Sequence, residues 1–587
     1  MLAFFPLTID RAAAAQNPTV IVGSVSGLAG SRIDLPVNFA VGTTGVSALE
    51  FDLILPLGVT SPNPPLVAAG SAASAASKSV SAGVQPNGDL RVLVFGLNQN
   101  VIGNGPLALV RLNIAADIAL GAHPVGITGL VASDAGGHAV ASSGATGTVE
   151  VTASGRFFIP SVVEDAEVRT NLGINNLSGD VANVQITVSN TGGSALGNKS
   201  VSVPPNGMVQ INRVIQDIVG NGTAGVRGSI SLDSGQSITA WASLIDNSTN
   251  DPSLLTSGMT GSARLLIPSA ANTRVFTSSL VIMNLGQTTG LISIKAYGTN
   301  GVVLGQTQTP LSIAALGTLY LENVLAELGI TENYGPIEIN STNGSPLMAA
   351  SRVASQNGTG GFFEGLNFGE ASLHQIIPHA IDTLELRTNL GINNTSGETA
   401  QVDLQLVNQI GRVAAVLHTS VPPGGMTQIN NVLRQLTGSS GVTNMEGYLQ
   451  LDSTQPIIAW VSEIDNSTND PGFAVSKAAG ASHLLVPSAT SVDPFKSSLV
   501  VVNAGNQEAS VDIIMRDTQG KMQGELRGKT IPSHGFYSTR NILESLGVTN
   551  KYGPVEIVST NGQPLVVVSR VYSTSGTSGF FEGQPIQ

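Results

Sequence analysis

Asp246-Asn247-Ser248-Thr249-Asn250-Asp251-Pro252 recurs without change at residues 465–471, and it is the densest run of oxygen-bearing side chains in the chain. Hard cations such as Ca²⁺ take several carboxylate, amide and carbonyl oxygens. The candidate ligands are therefore Asp246, Asn250 and Asp251 in one copy and Asp465, Asn469 and Asp470 in the other. The run departs from the helix–loop–helix calcium pattern. Asp251 and Asp470 stand where that pattern needs glycine, and no acidic residue follows at the twelfth position. Asp, Asn and Ser also build exposed turns by bonding their own backbone. The turn is the favoured reading, with Ca²⁺ as a structural stiffener the alternative.

Other chemistries find less support. The seven histidines fall at no equivalent positions, and neither H-E-x-x-H nor G-x-S-x-G occurs. There is no cysteine, which removes disulfides, thiolate metal sites and thiol nucleophiles. Gly220-Asn221-Gly222-Thr223-Ala224-Gly225 has the spelling of a dinucleotide loop. That loop needs a strand before and a helix after, and here the order is reversed. Trp241 and Trp460, the only tryptophans, sit in the apolar runs Ile238-Thr239-Ala240-Trp241 and Ile457-Ile458-Ala459-Trp460. Packing in a core or between domains is expected of them before sugar stacking. Phe362-Phe363-Glu364-Gly365 and Phe580-Phe581-Glu582-Gly583 read as seams against a neighbouring domain. No enzymatic activity is expected.

These residues sit in one design written four times. Prolines 160, 268, 378 and 487 open the copies in Ile-Pro-Ser, Ile-Pro-Ser, Ile-Pro-His and Val-Pro-Ser, at spacings of 108, 110 and 109. The copies alternate in kind. Arg169-Thr170-Asn171-Leu172-Gly173-Ile174-Asn175-Asn176 returns 218 residues later, as does Tyr334-Gly335-Pro336. The order is A1 (154–262), B1 (263–372), A2 (373–481) and B2 (482–587). Each copy shows short alternating strands, among them those around residues 172–176, 280–284, 390–394 and 499–503. Each also predicts one short helix, because Val214, Ile215 and Ile218, and their counterparts at 324, 432 and 542, share one helical face. Asn212, Asn323, Asn431 and Asn541 stand where an asparagine caps a helix start. The expected unit is an immunoglobulin-like β-sandwich.

Residues 17–153 differ. Alternating runs at 19–25, 32–39, 48–55, 90–96, 108–115 and 147–151 predict an antiparallel β-sandwich. Their order resembles a cohesin domain. The resemblance is carried by Val22-Gly23-Ser24-Val25-Ser26-Gly27, Gly30-Ser31-Arg32-Ile33-Asp34-Leu35-Pro36-Val37 and Gly45-Val46-Ser47-Ala48-Leu49-Glu50-Phe51-Asp52-Leu53. It continues through Arg91-Val92-Leu93-Val94-Phe95 and Asn104-Gly105-Pro106-Leu107-Ala108 to Ala132-Ser133-Asp134-Ala135-Gly136-Gly137. It implies a jelly roll akin to carbohydrate-binding modules and a dockerin-type partner. The flat face that receives the partner would lie near residues 48–55 and 90–97. Phe39, Phe51 and Phe95, the only aromatics of residues 19–152, are all expected in the core.

A net charge of −13 with no basic run excludes nucleic acid as a partner. No stretch reaches the ~20 apolar residues of a membrane helix. Residues 1–16, apolar and then small at Ala13 and Ala15, read as the end of a secretory signal. The expected fold class is all-β, with five sandwiches in an elongated row that touch mainly their sequence neighbours. The expected function is a non-catalytic secreted or cell-surface scaffold, with a cohesin-like head carried on a repeat spacer. The alternatives are direct polysaccharide binding and a fibre subunit that associates end to end.

Overall fold

The computed structural model describes residues 17–28, 32–62, 65–115, 118–119, 121–152, 155–220 and 225–586. The secretory reading of residues 1–16, the Gly30-Ser31 part of the cohesin-like pattern and residues 221–224 of the glycine loop lie outside them. The fold is all-β, as expected. Two compact units meet in sequence between Ala153 and Ser154.

The first unit is a sandwich of two six-stranded sheets. One sheet runs Ser143–Ala145, Thr19–Val22, Arg32–Ala40, Gly105–Ile114, Val59–Thr60, with Val67–Ala69 also on Gly105–Ile114. The other runs Ser24–Leu28, Gly147–Thr152, Gly121–Ser133, Ala48–Ile54, Leu90–Phe95, Ser79–Val84. Strict alternation buries Leu49, Phe51, Leu53, Leu90, Val92 and Val94 on the inner face and sends their neighbours outward. No apolar periodicity announces the helix Ser71–Ala75, which is one turn of small residues held by the burial of Ala72 and Ala73.

In the second unit A1 and B2 each fold as two packed sheets, while the strands of B1 join in one ten-stranded sheet and those of A2 in one seven-stranded sheet. In A1, Gly155–Glu164, Val226–Ser234, Ala182–Asn190 and Ala195–Val203 face Met208–Ile211, Val168–Asn176, Ile238–Asp246 and Pro252–Thr256. The four helices form where the apolar triplets placed them: Val214–Val219, Val324–Glu327, Val432–Thr437 and Ile542–Ser545. Asparagine capping holds only in the B copies, where Asn323 and Asn541 accept from the Ala326 and Glu544 amides. In the A copies the preceding residue, Arg213 or Asn431, is left-handed, and its amide donates to Asn171 or Asn389 on a neighbouring strand.

The expectation of an open row fails for this unit. Each copy touches the next through the same main-chain bond. Thr318 N donates to Thr191 O, Met426 N to Thr299 O, and Phe536 N to Gln409 O, at 2.8, 2.9 and 3.2 Å. The series does not stop at B2: Met208 N of A1 donates to Thr518 O of B2 at 3.1 Å. The four copies therefore form a closed ring, A1–B1–A2–B2–A1. Head-to-tail contacts between unlike surfaces make rings when the rotation closes and open arrays when it does not. Periodicity reports that the copies are alike and is silent on that angle.

The ring is cored through its seams. Trp241 of A1 packs in the core of B2, and Trp460 of A2 in that of B1. Val281 and Ala350 of B1 complete the core of A1, and Val500 and Val568 of B2 that of A2. The tryptophans meet Phe581 and Phe363 edge to face at 5.4 and 5.0 Å. Gly173 and Gly391 pair with Trp241 and Trp460 across the strands, and a Cβ there would lie 2.1 Å from the indole. At the centre Leu254 covers Gly579, Phe580 covers Gly472 and Phe473 covers Gly361, so the strands of A1, B2 and A2 each seat a large side chain on a neighbour's glycine.

Candidate functional site

Two regions hold the candidate binding residues that the sequence singled out, and each belongs to one unit. On the first sandwich, the outward side chains of Ala48–Ile54 and Leu90–Phe95 form one face with Val131 of the adjoining strand. Arg91 stands at its centre, with Nε and Nη2 donating to Asp52 at 2.7 and 2.8 Å and Nη1 3.0 Å from Glu50. That guanidinium holds the Asp52 carboxyl below its ordinary range, against the opposing pull of desolvation. Around the charged row lie exposed Ile54, Phe95 and Val131, and Leu97 is exposed in the loop that follows Phe95. Phe39 and Phe51 are core residues as expected, but Phe95 is 48% exposed. It is the last residue of its strand and falls on the outward side of the alternation. At the edge of this sheet, buried Lys78 donates to Ser47 Oγ at 3.0 Å and to Asn98 O at 2.8 Å, which ties down the loop after Phe95. Burial lowers its pKa.

The second region is the pair of repeated loops, and it divides the expected ligands. Asp246 Oδ1 accepts from the amides and hydroxyls of Ser248 and Thr249 at 2.6–3.0 Å, and Asp465 Oδ1 from those of Ser467 and Thr468 at 2.5–3.3 Å. Desolvation raises these two carboxyls, but the hydrogen bonds outweigh it and hold both below their ordinary value. Arg169 donates to the side-chain oxygens of Asn247 and Asn250 at 2.7 and 2.8 Å, and Arg387 to Asn466 and Asn469 at 2.6 and 2.9 Å. An arginine thus sits on the amide oxygens. The coupling was visible in the sequence, since Arg169 and its loop recur together in the A copies.

Asp251 and Asp470 point the other way, into the ring, with no exposed surface. Asp251 Oδ2 accepts from Gly360 N and Asp470 Oδ2 from Ser578 N, each at 2.7 Å and each across a seam. Their Oδ1 atoms are buried without a hydrogen-bond partner. Burial pushes both carboxyls well above the carboxylate range, and the nearness of Asp470 adds to the effect on Asp251. Among the described residues no group of three or more His, Cys, Asp or Glu is placed to hold a metal ion.

A further cluster escaped the sequence reading. His379 Nδ1 lies 2.7 Å from Glu463, its Nε2 3.4 Å from Glu446, and Arg570 of B2 closes on Glu463 at 3.4 Å. Burial alone would depress the imidazole pKa, yet Glu463 and Glu446 together raise it to about 9. The available signal was the one histidine in Ile-Pro-His, where the other copies have serine.

No family model and no curated protein matches this sequence. Among solved structures the chain is similar to a non-cellulosomal cohesin from Archaeoglobus fulgidus, at 20% identity over 23% of this chain and 92% of that one, with a TM-score of 0.20. It is also similar to a chain of a type I cohesin–dockerin complex from Clostridium thermocellum, at 18% identity over 23% of this chain and all of that one, TM-score 0.21. A third is the sixth cohesin of Acetivibrio cellulolyticus scaffoldin B in complex with a Cel5 dockerin, at 20% identity over the same shares, TM-score 0.21. No helix among the described residues is long and apolar enough to cross a membrane.

Proposed function

We propose that this chain is a non-catalytic, secreted or cell-surface scaffold whose first sandwich recognises a protein module of the dockerin type. One observation carries the reading: Ile54, Phe95 and Val131 are exposed around the Glu50–Arg91–Asp52 row, on the sheet face where the sequence resemblance expects a partner. Apolar anchors around a central charged row are what a specific protein interface needs, with the charges fixing register and the anchors supplying affinity. Direct polysaccharide binding favours a row of aromatics, and this face has Phe95 alone. End-to-end fibre growth through the repeats competes with the ring, which already occupies the A1 and B2 surfaces that such growth would use. The test is capture from the source secretome on the intact chain and on Phe95→Asp. We expect protein partners that the variant loses by at least tenfold. Polysaccharide recovered alone, or partners retained by the variant, would overturn the reading.

A further inference from the structure

The duplication supplies an internal comparison. In A2–B2, the Glu582 carboxylate accepts from Val475 N at 2.6 Å, and the Lys477 ammonium sits on its other oxygen at 2.5 Å. In A1–B1 the same carboxylate is Glu364, which accepts from Thr256 N at 2.6 Å and from Thr256 Oγ1. The position of Lys477 is there Gly258. The match is fixed by main-chain bonds: Ile376 pairs with Lys477 as Phe158 pairs with Gly258.

A cavity of about 230 Å³ opens beside Glu364, and Met348 and Thr260, the residues that a Cβ on Gly258 would meet, belong to its lining. Its lining is more polar than the equivalent positions of A2–B2. Thr256, Thr260, Ser262 and Asn367 replace Val475, Ala479, Ala481 and Pro585, and Glu370 stands at the rim. Leu255, Leu265 and Met348 supply an apolar wall. Lys477 is near enough to act on Glu364 and Glu370 through its charge, but its ammonium is held by Glu582.

We propose that this cavity is a binding site for a primary alkylammonium ligand, whose head takes beside Glu364 the place that Lys477 takes beside Glu582. A primary ammonium has three donors. The Glu364 carboxylate receives one, the hydroxyl and amide oxygens of the lining suit the others, and the alkyl tail lies on the apolar wall as a lysine stem would. A quaternary ammonium has charge and no donor, and it fails this geometry.

The experiment is titration calorimetry on the intact chain at neutral pH and constant ionic strength, with n-butylammonium, tetramethylammonium and sodium chlorides. We expect one saturable butylammonium site per chain and at least tenfold weaker binding of tetramethylammonium. Gly258→Lys restores the internal ammonium and should abolish binding. A Cβ at Gly258 approaches only the flexible end of Met348, at 3.1 Å, so the position has room. Should that variant fail to fold, Glu364→Gln, which keeps an acceptor for Thr256, should weaken binding at least tenfold. A capped Gly-Gly-Lys-Gly-Gly peptide separates sources. Binding as tight as butylammonium assigns the site to a partner's lysine, and binding of the free amine alone assigns it to a small amine. Absence of saturable binding, equal affinity for tetramethylammonium, or full binding by both variants would overturn the proposal.

Discussion

The last asparagine of each Leu-x-x-x-Asn strand does the same work in every copy. Asn176, Asn284 and Asn503 each give their amide to three main-chain carbonyls, and Asn394 to two, at 2.6–3.2 Å. Replacing Asn284 by Ala strands those buried acceptors, at about 1–3 kcal/mol each before relaxation. We expect a loss of about 2–4 kcal/mol, read as a lower denaturant midpoint at unchanged slope. His379 makes a pH-dependent contribution. Its folded pKa is raised to about 9 from 6.5, so the native state binds more protons than the unfolded chain between those values. The stabilisation is complete below 6.5 and is lost as pH rises through 9. Its ceiling is about 3 kcal/mol, because each tenfold gain in proton affinity on folding is worth about 1.4 kcal/mol. Carboxylates elsewhere move in both directions, so the measurement is the difference between the native chain and His379→Ser across pH 6–10. A flat difference would remove His379 as the cause. At the repeated loops the arginines already occupy the asparagine oxygens, and we expect equal melting midpoints with Ca²⁺ and with chelator. A midpoint raised by calcium would revive the stiffening role.

At the scale of elements, what the sequence made legible was whatever repeats within one strand or one helix turn. Val214, Ile215 and Ile218 announced a helix, and alternation announced the faces of Ala48–Ile54 and Leu90–Phe95. The candidate ligands Asp246 and Asp251 looked like one set because they are five residues apart. In the structure both are buried, and the left-handed Asn250 between them leaves Asp246 bonded to Ser248 and Thr249 of its own loop while Asp251 reaches Gly360 of the adjoining copy. Gly193, Gly301, Gly411 and Gly520 carry the seams in a similarly hidden way. All four have φ between 76° and 81°, and a Cβ on each would lie 1.9–2.4 Å from a carbonyl oxygen of the adjoining copy. A sequence shows such a glycine as a turn. Its second role, letting two backbones approach, requires the neighbour. Gly520→Ala combines left-handed strain with that clash at the closing seam alone. We expect faster hydrogen exchange at Met208–Ile211 with the first sandwich unaffected. Unchanged protection there would mean that the seam does not depend on this approach.

At the scale of the second unit, the ring is two A–B halves joined twice, once through the chain and once without it. B1–A2 is tethered, and Asn393 Nδ2 donates to Pro268 O at 2.8 Å. B2–A1 has no tether, and Asn175 Nδ2 donates to Pro487 O at the same 2.8 Å. The edge-to-face pairs agree too, at 76° for Trp460 with Phe363 and 74° for Trp241 with Phe581. Equal geometry with and without a peptide link means that surface complementarity positions the halves, while the link raises their effective concentration. The A–B seams add a charge pair of opposite sense. Arg227 of A1 meets Glu322 of B1, whereas Glu446 of A2 feels the charge of Arg540 of B2. Exchanging B copies between these seams would set Arg227 against Arg540 and Glu446 against Glu322, so each A copy is matched to its own B copy. A protease site placed between Ala371 and Ser372 would cut the sole covalent link between the halves. We expect the cleaved fragments to migrate together in size exclusion at low salt and at 0.5 M salt, because the seams are largely apolar and screening reaches mainly exposed charge. Separation at low salt would mean that the tether, and not the seams, closes the ring.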